Sequence, residues 1–136
     1  MPKDERIRLL IAEDEQMLRN GLAGLDWKAQ EITLLPTAKN GLQAVEIATE
    51  HTVDILLTDI RMPGCSGIEV AGFVRERYPQ AEILFLSGYE EFDYAQKAIS
   101  LRANNYILKP VMPREVLRAV GAAREAIRQR RADEEA

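Results

Sequence analysis

ILLTD at residues 55–59 and ILFLS at residues 83–87 are apolar runs that stop on a polar residue, and their reading decides the fold. Ile55-Leu56-Leu57 and Ile83-Leu84-Phe85-Leu86 are continuously apolar, not alternating. A strand of that composition has both faces covered, as in a parallel sheet flanked by helices. Two further runs behave alike: Leu9-Leu10-Ile11-Ala12 stops at Glu13-Asp14, and Tyr106-Ile107-Leu108 stops at Lys109-Pro110. Helical periodicity fills the intervals. Met17, Leu18, Gly21, Leu22 and Leu25 recur at helical spacing, as do Leu42, Val45 and Ala48 after Gly41. Ile68, Ala71, Val74 and Tyr78 form a third set, stopped by Pro79. Phe92, Ala95 and Ile99 mark a fourth helix, and Val116, Val120, Ala123 and Ile127 a fifth. Ile32–Leu35 supplies the remaining extended segment.

Five β-α units in series predict an α/β domain with a doubly wound, five-stranded parallel sheet and five helices. The common order for such a sheet, 2-1-3-4-5, sets strands 1 and 3 side by side. Glu13, Asp14 and Asp59 then flank the crevice at the carboxyl ends of the strands, with Ser87 and Lys109 on its other side.

The bulk numbers bound the function. With 136 residues the chain makes one compact domain. A net charge of -4 argues against this domain gripping a phosphate backbone, which needs clustered positive charge. The single cysteine, Cys65, excludes an internal disulfide framework and reads as an inert loop thiol. The N-terminal apolar run is too short for a signal peptide, and no stretch approaches the ~20 apolar residues of a membrane span. The expectation is a cytoplasmic protein without membrane contact.

Three carboxylates gathered in one crevice repel one another unless a cation neutralises them. A hard divalent ion with oxygen ligands is the natural answer, and Mg²⁺ takes one or two carboxylates, waters and a phosphate oxygen. Lys109 is suited to pair with a second phosphoryl oxygen and Ser87 to donate to a third. Asp59 can then act as a nucleophile and form an aspartyl-phosphate. Each residue alone has a plainer reading, as a helix cap, a turn former or a loop. Their joint placement at the same end of four strands does not.

From about Ile7 to Ile127 the chain resembles the receiver domain of two-component response regulators, a flavodoxin-like fold. The likeness is carried by LLIAEDE with Glu13-Asp14, LLTDIRMPGCSG with Asp59, LFLSGY with Ser87 and YILKP with Lys109-Pro110. It implies Asp59 as phosphoacceptor, Asp14 as a direct ligand of Mg²⁺ (or Mn²⁺), Glu13 as a ligand through water, and the Arg61 backbone carbonyl completing the metal shell. It further implies Ser87 and Tyr106 as switch residues and a cis peptide at Lys109-Pro110. SGYEEFDYAQKAI at 87–99, with Asp26-Trp27, is similar to receivers that precede an AraC-type helix-turn-helix domain. Such receivers usually carry Gly where this chain has Arg102, before Ala103-Asn104-Asn105. In a left-handed helix end that exchange costs ~1 kcal/mol or more.

The function implied is a signalling switch, not an enzyme turning over a substrate. A sensor histidine kinase would supply the phosphoryl group, and the domain would phosphorylate and dephosphorylate itself. The surface of fourth helix, fifth strand and fifth helix would change, with possible homodimerisation. Haloacid-dehalogenase-like phosphatases, the enzymatic rival, place a second Asp two residues beyond the nucleophile, where this chain has Arg61. The expected organisation is a receiver at 1–128 and a charged tail at 129–136. That tail would begin a linker to an output domain, not contained in these residues, that binds DNA and regulates transcription. The alternative is a stand-alone receiver acting by protein–protein interaction. Arg128, Arg130 and Arg131 read as a solvated helix face beside Glu125 and Asp133-Glu134-Glu135.

Overall fold

The computed structural model describes residues 5–88 and 105–135. Five strands form one sheet: β1 (Arg8–Ala12), β2 (Thr33–Leu34), β3 (Ile55–Asp59), β4 (Glu82–Ser87) and β5 (Asn105–Leu108). Their order is β2-β1-β3-β4-β5, every neighbouring pair parallel, as the apolar runs require. The described helices are α1 (Gln16–Ala23), α2 (Gly41–Glu50), α3 (Gly67–Arg77) and α4 (Pro113–Glu135). Thus α4 is the last of the five expected. The expected helix around Phe92–Ile99 lies outside the described residues, as do Tyr89 and Arg102.

Alternation of side chains across the sheet makes two cores. Leu10, Leu56, Ile83 and Phe85 face α2 and α3, where Ala44, Ala48, Val70 and Val74 meet them. Leu9, Ile11, Leu57, Leu84 and Leu86 face the other way, onto Leu22 of α1 and Val116, Val120, Ala123 and Ile127 of α4. Caps fix where two helices start. Asn40 accepts from the Gln43 N–H at 2.8 Å, and Ser66 with Glu69 forms a capping box before α3. Met17, read among the apolar positions of α1, is 83% exposed, because Leu22 is the one residue of that helix fully buried.

The sequence expectation for the last arginines is corrected in part. The helix runs past Arg128 to Glu135. Arg130 and Arg131 do not simply face solvent. Arg130 pairs with Glu82 at 3.2 Å and donates to the Gln80 carbonyl at 2.7 Å. Arg131 pairs with Asp54 at 3.0 Å and donates to the Glu5 carbonyl at 3.1 Å. The other Asp54 oxygen accepts from the Arg8 N–H at 2.8 Å. About two turns earlier, Arg124 donates to both the backbone and side-chain oxygens of Gln30 at 2.9 Å. Carboxylates at the amino ends of β3 and β4 therefore hold the end of α4, a long-range pairing that charge patterning within one helix does not reveal.

These ties give a stability prediction. Glu82 has a side chain only 8% exposed, so Arg130→Ala leaves a carboxylate buried without its cation. Because Arg130 itself is partly in water, the expected loss is about 1–2 kcal/mol. Adding Glu82→Leu to Arg130→Ala should recover most of it, since no charge is then left buried. Urea unfolding of the single and double variants checks both.

Candidate functional site

The carboxyl ends of β1, β3, β4 and β5 bring the predicted residues to one crevice. Glu13 and Asp14 follow β1, Asp59 ends β3, Ser87 ends β4, and Lys109 follows β5. One carboxylate oxygen from each of Glu13, Asp14 and Asp59 lies within 4.8 Å of the others. Glu13 is fully buried, Asp59 is 3% exposed, and Asp14 is open to solvent. Lys109 Nζ stands 3.2 Å from Asp59 Oδ2. Ser87 is buried, and its carbonyl accepts from the Lys109 N–H at 2.9 Å, so the last two strand ends are tied together. The Lys109–Pro110 peptide is cis.

Two expected residues stand further out. Tyr106 lies on β5 with its ring centroid 6.1 Å from that of Phe85, half-buried against the first core. Arg61 is exposed and borders, with Asp14, Ile60, Met62, Pro63 and Ser66, an opening of about 390 Å³ between the acidic turn and the β3–α3 loop. Cys65 sits in that loop, and burial, then the Glu69 charge, push its thiol up.

The acidic cluster carries an electrostatic deficit. Glu13 Oε2 accepts from the Glu15 N–H at 3.0 Å, but Glu13 Oε1 is buried with no hydrogen-bond partner. Burial is the main reason that the Glu13 carboxyl is pushed up to about 7. The Asp59 charge and the neighbouring Asp14 carboxylate, to which a protonated Glu13 can donate, add to the rise, while the Glu15 N–H and Lys109 oppose it. A buried, unpartnered oxygen beside two more carboxylates is the donor set that a hard divalent cation satisfies. The residues present fit Mg²⁺.

A pH dependence follows from Glu13. Its folded carboxyl binds a proton more tightly than the unfolded one, so the associated stability is fully present below the ordinary value of 4.5. It is lost as pH rises through about 7. Fully expressed, the difference amounts to roughly 3 kcal/mol. Thermal melts in chelator at about pH 5 and about pH 8 should show greater stability at the lower value from this group. Glu13→Gln, which mimics the protonated form, should flatten that difference; an unchanged slope in this variant would refute the attribution.

Sequence reasoning missed the backbone packing beneath the site. A Cβ on Gly67 would lie 1.8 Å from the Asp59 carbonyl oxygen, and one on Gly41 would lie 2.1 Å from that of Cys65. Glycines just inside a helix start carry a weak signal of such close approach. Arg19 was also missed. Its Nη1 donates to the carbonyls of Glu13 at 2.9 Å and Asp14 at 3.4 Å. Its position in the first turns of α1 after the acidic turn was the available sign.

Residues 9–121 match the response regulator receiver domain family. The chain superimposes on the REC domain of AraT, a response regulator from Geobacillus stearothermophilus, with TM-score 0.84 and 36% identity over 92% of this chain and 98% of that one. A two-component transcriptional regulator AraC from Clostridium phytofermentans gives TM-score 0.85 and 37% identity over 93% and 98%. Among curated relatives, the uncharacterized transcriptional regulatory protein YesN of Bacillus subtilis is 32% identical over 81% of this chain and 30% of its own length. The nitrate/nitrite response regulator NarL of Escherichia coli is 32% identical over 90% of this chain and 57% of its own length. The chain thus spans about a third to just over half of these relatives. A family match over most of its length, on the fold and strand order just described, makes this chain a member of the response regulator receiver domain family of two-component signalling.

Proposed function

We propose that the domain is a phosphorylation switch that accepts a phosphoryl group on Asp59 from a sensor histidine kinase in the cytoplasm. The observation that carries this reading is Lys109 Nζ, 3.2 Å from the Asp59 carboxylate, beside a three-carboxylate cluster with an unpartnered Glu13 oxygen. Asp59 attacks phosphorus, its C–O–P bond forms, and the P–N bond to the kinase imidazole breaks. Lys109 pairs with one phosphoryl oxygen and the Ser87 hydroxyl donates to another. Glu13, Asp14, Asp59 and the Arg61 carbonyl would hold Mg²⁺, which would screen the charge of the transferring group. Later hydrolysis returns the Asp59 carboxylate and releases phosphate.

The new charge draws Ser87 toward the phosphoryl group and lets Tyr106 move in behind it, biasing a two-state surface that includes β5 and α4. Output through a DNA-binding domain is supported by the transcriptional regulators among its relatives, and homodimerisation through the switching surface is part of the same proposal. The test is incubation with acetyl phosphate and Mg²⁺ followed by intact mass. A gain of one phosphoryl group, lost in chelator, is expected. No gain with Mg²⁺ present would sink the proposal.

A further inference from the structure

We propose that Arg19 is a positioning residue for the metal: it clamps the acidic turn through the carbonyls of Glu13 and Asp14 and so pre-sets the two carboxylates. The inference rests on the Mg²⁺ reading above and adds the device that holds the ligands before any ion arrives.

The acidic turn is under load. It places one fully buried and one exposed carboxylate within 4.8 Å of Asp59, where mutual repulsion favours opening. Three contacts oppose that. On the strand side, the Glu13 N–H donates to the Ala38 carbonyl at 3.0 Å. Within the turn, the Glu15 N–H donates to Glu13 Oε2 at 3.0 Å. From α1, a single guanidinium nitrogen reaches back across the turn to two successive carbonyls, at 2.9 and 3.4 Å. Among the described residues the helix start lacks the usual supports: Glu15 at its N-cap makes no side-chain capping bond and the first turn holds no acidic residue.

The target of the guanidinium matters. Its hydrogen bonds go to backbone oxygens, which leaves the carboxylate oxygens facing the crevice available to an ion. Arg19 therefore acts on where the ligands sit, while Lys109 pairs with the Asp59 carboxylate itself. A charged donor on two carbonyls is among the stronger hydrogen bonds available to a partly exposed site. The outer partners of metal ligands typically govern affinity by 10–100-fold. Arg19 sits three residues before Leu22, the residue that anchors α1 in the core, so the clamp has a fixed footing.

The experiment is a calorimetric Mg²⁺ titration of the wild-type chain, Arg19→Ala and Arg19→Lys, with thermal midpoints taken in chelator. Alanine preserves the helix, so the metal-free midpoint of Arg19→Ala should fall only by the modest amount that two partly exposed hydrogen bonds contribute. Its Mg²⁺ dissociation constant should rise about 10-fold or more. Arg19→Lys, which offers one ammonium to the same carbonyls, should fall between the two. Equal Mg²⁺ affinity in wild type and Arg19→Ala would overturn the role of Arg19 alone. A loss of affinity in both variants that merely tracks a lowered metal-free midpoint would also overturn it, as a general structural effect. A wild-type chain that binds no Mg²⁺ would overturn the metal reading itself, and the proposal with it.

Discussion

Asp59→Ala should take up no phosphoryl group under conditions in which the wild-type chain gains one, as read by intact mass after exposure to acetyl phosphate and Mg²⁺. The other two carboxylates are poor substitutes for different reasons. Glu13 is fully buried and has one oxygen committed to the Glu15 N–H. Asp14 belongs to the cluster but is exposed, whereas Lys109 Nζ stands 3.2 Å from Asp59. A nucleophile without that cation loses the group that stabilises developing charge on the phosphoryl oxygens. Lys109→Ala should accordingly retain the acceptor but slow its phosphorylation by roughly 100-fold or more. Asp59→Ala has a second signature. The Asp59 charge is one of the causes raising the Glu13 carboxyl, so its removal should lower that value and narrow the pH dependence in chelator. An equal mass gain in Asp59→Ala would move the acceptor elsewhere and end the assignment.

Gly67→Ala should be among the most damaging single-methyl additions in the domain. Its Cβ would lie 1.8 Å from the Asp59 carbonyl oxygen, 2.8 Å from its carbon and 3.0 Å from the Ile60 Cα. All three are backbone atoms, so no rotamer change relieves the clash. The Gly67 N–H also donates to the Ile60 carbonyl at 2.8 Å, which ties the start of α3 to the end of β3. The strand end or the helix start must move, at an expected cost of about 3 kcal/mol. Phosphorylation should fall as well, because the displaced atoms belong to Asp59. Gly72, in the same helix, is the control. A Cβ there meets nothing within 4 Å, so Gly72→Ala should stabilise by about 0.5–1 kcal/mol through helix propensity. Urea midpoints of the two variants should move in opposite directions; a shared direction would show that the close approach at Gly67 is not what sets the cost.

What was legible in the sequence was what local pattern encodes. Continuous apolar runs at 55–57 and 83–86 sufficed for buried parallel strands, and the polar stops of the four runs placed Glu13, Asp14, Asp59, Ser87 and Lys109 at one sheet edge. Contacts between distant segments were not legible. Arg130 and Arg131 looked like a solvated face because their partners, Glu82 and Asp54, are 48 and 77 residues away. Met17 fitted a helical stripe, yet α1 buries little beyond Leu22, so the periodicity overstated its apolar face. The packing of Gly41 and Gly67 against neighbouring carbonyls depends on how two loops meet, which spacing along the chain does not specify.

That backbone contact makes Cys65 a natural reporter. It is the chain's one thiol, half-buried in the β3–α3 loop and packed against the start of α2 at Gly41. The thiol is held protonated by burial, so it reacts slowly with alkylating reagents while the loop is seated. A change in its alkylation rate would therefore report a change at the loop beside Asp59, with no label introduced and no residue replaced.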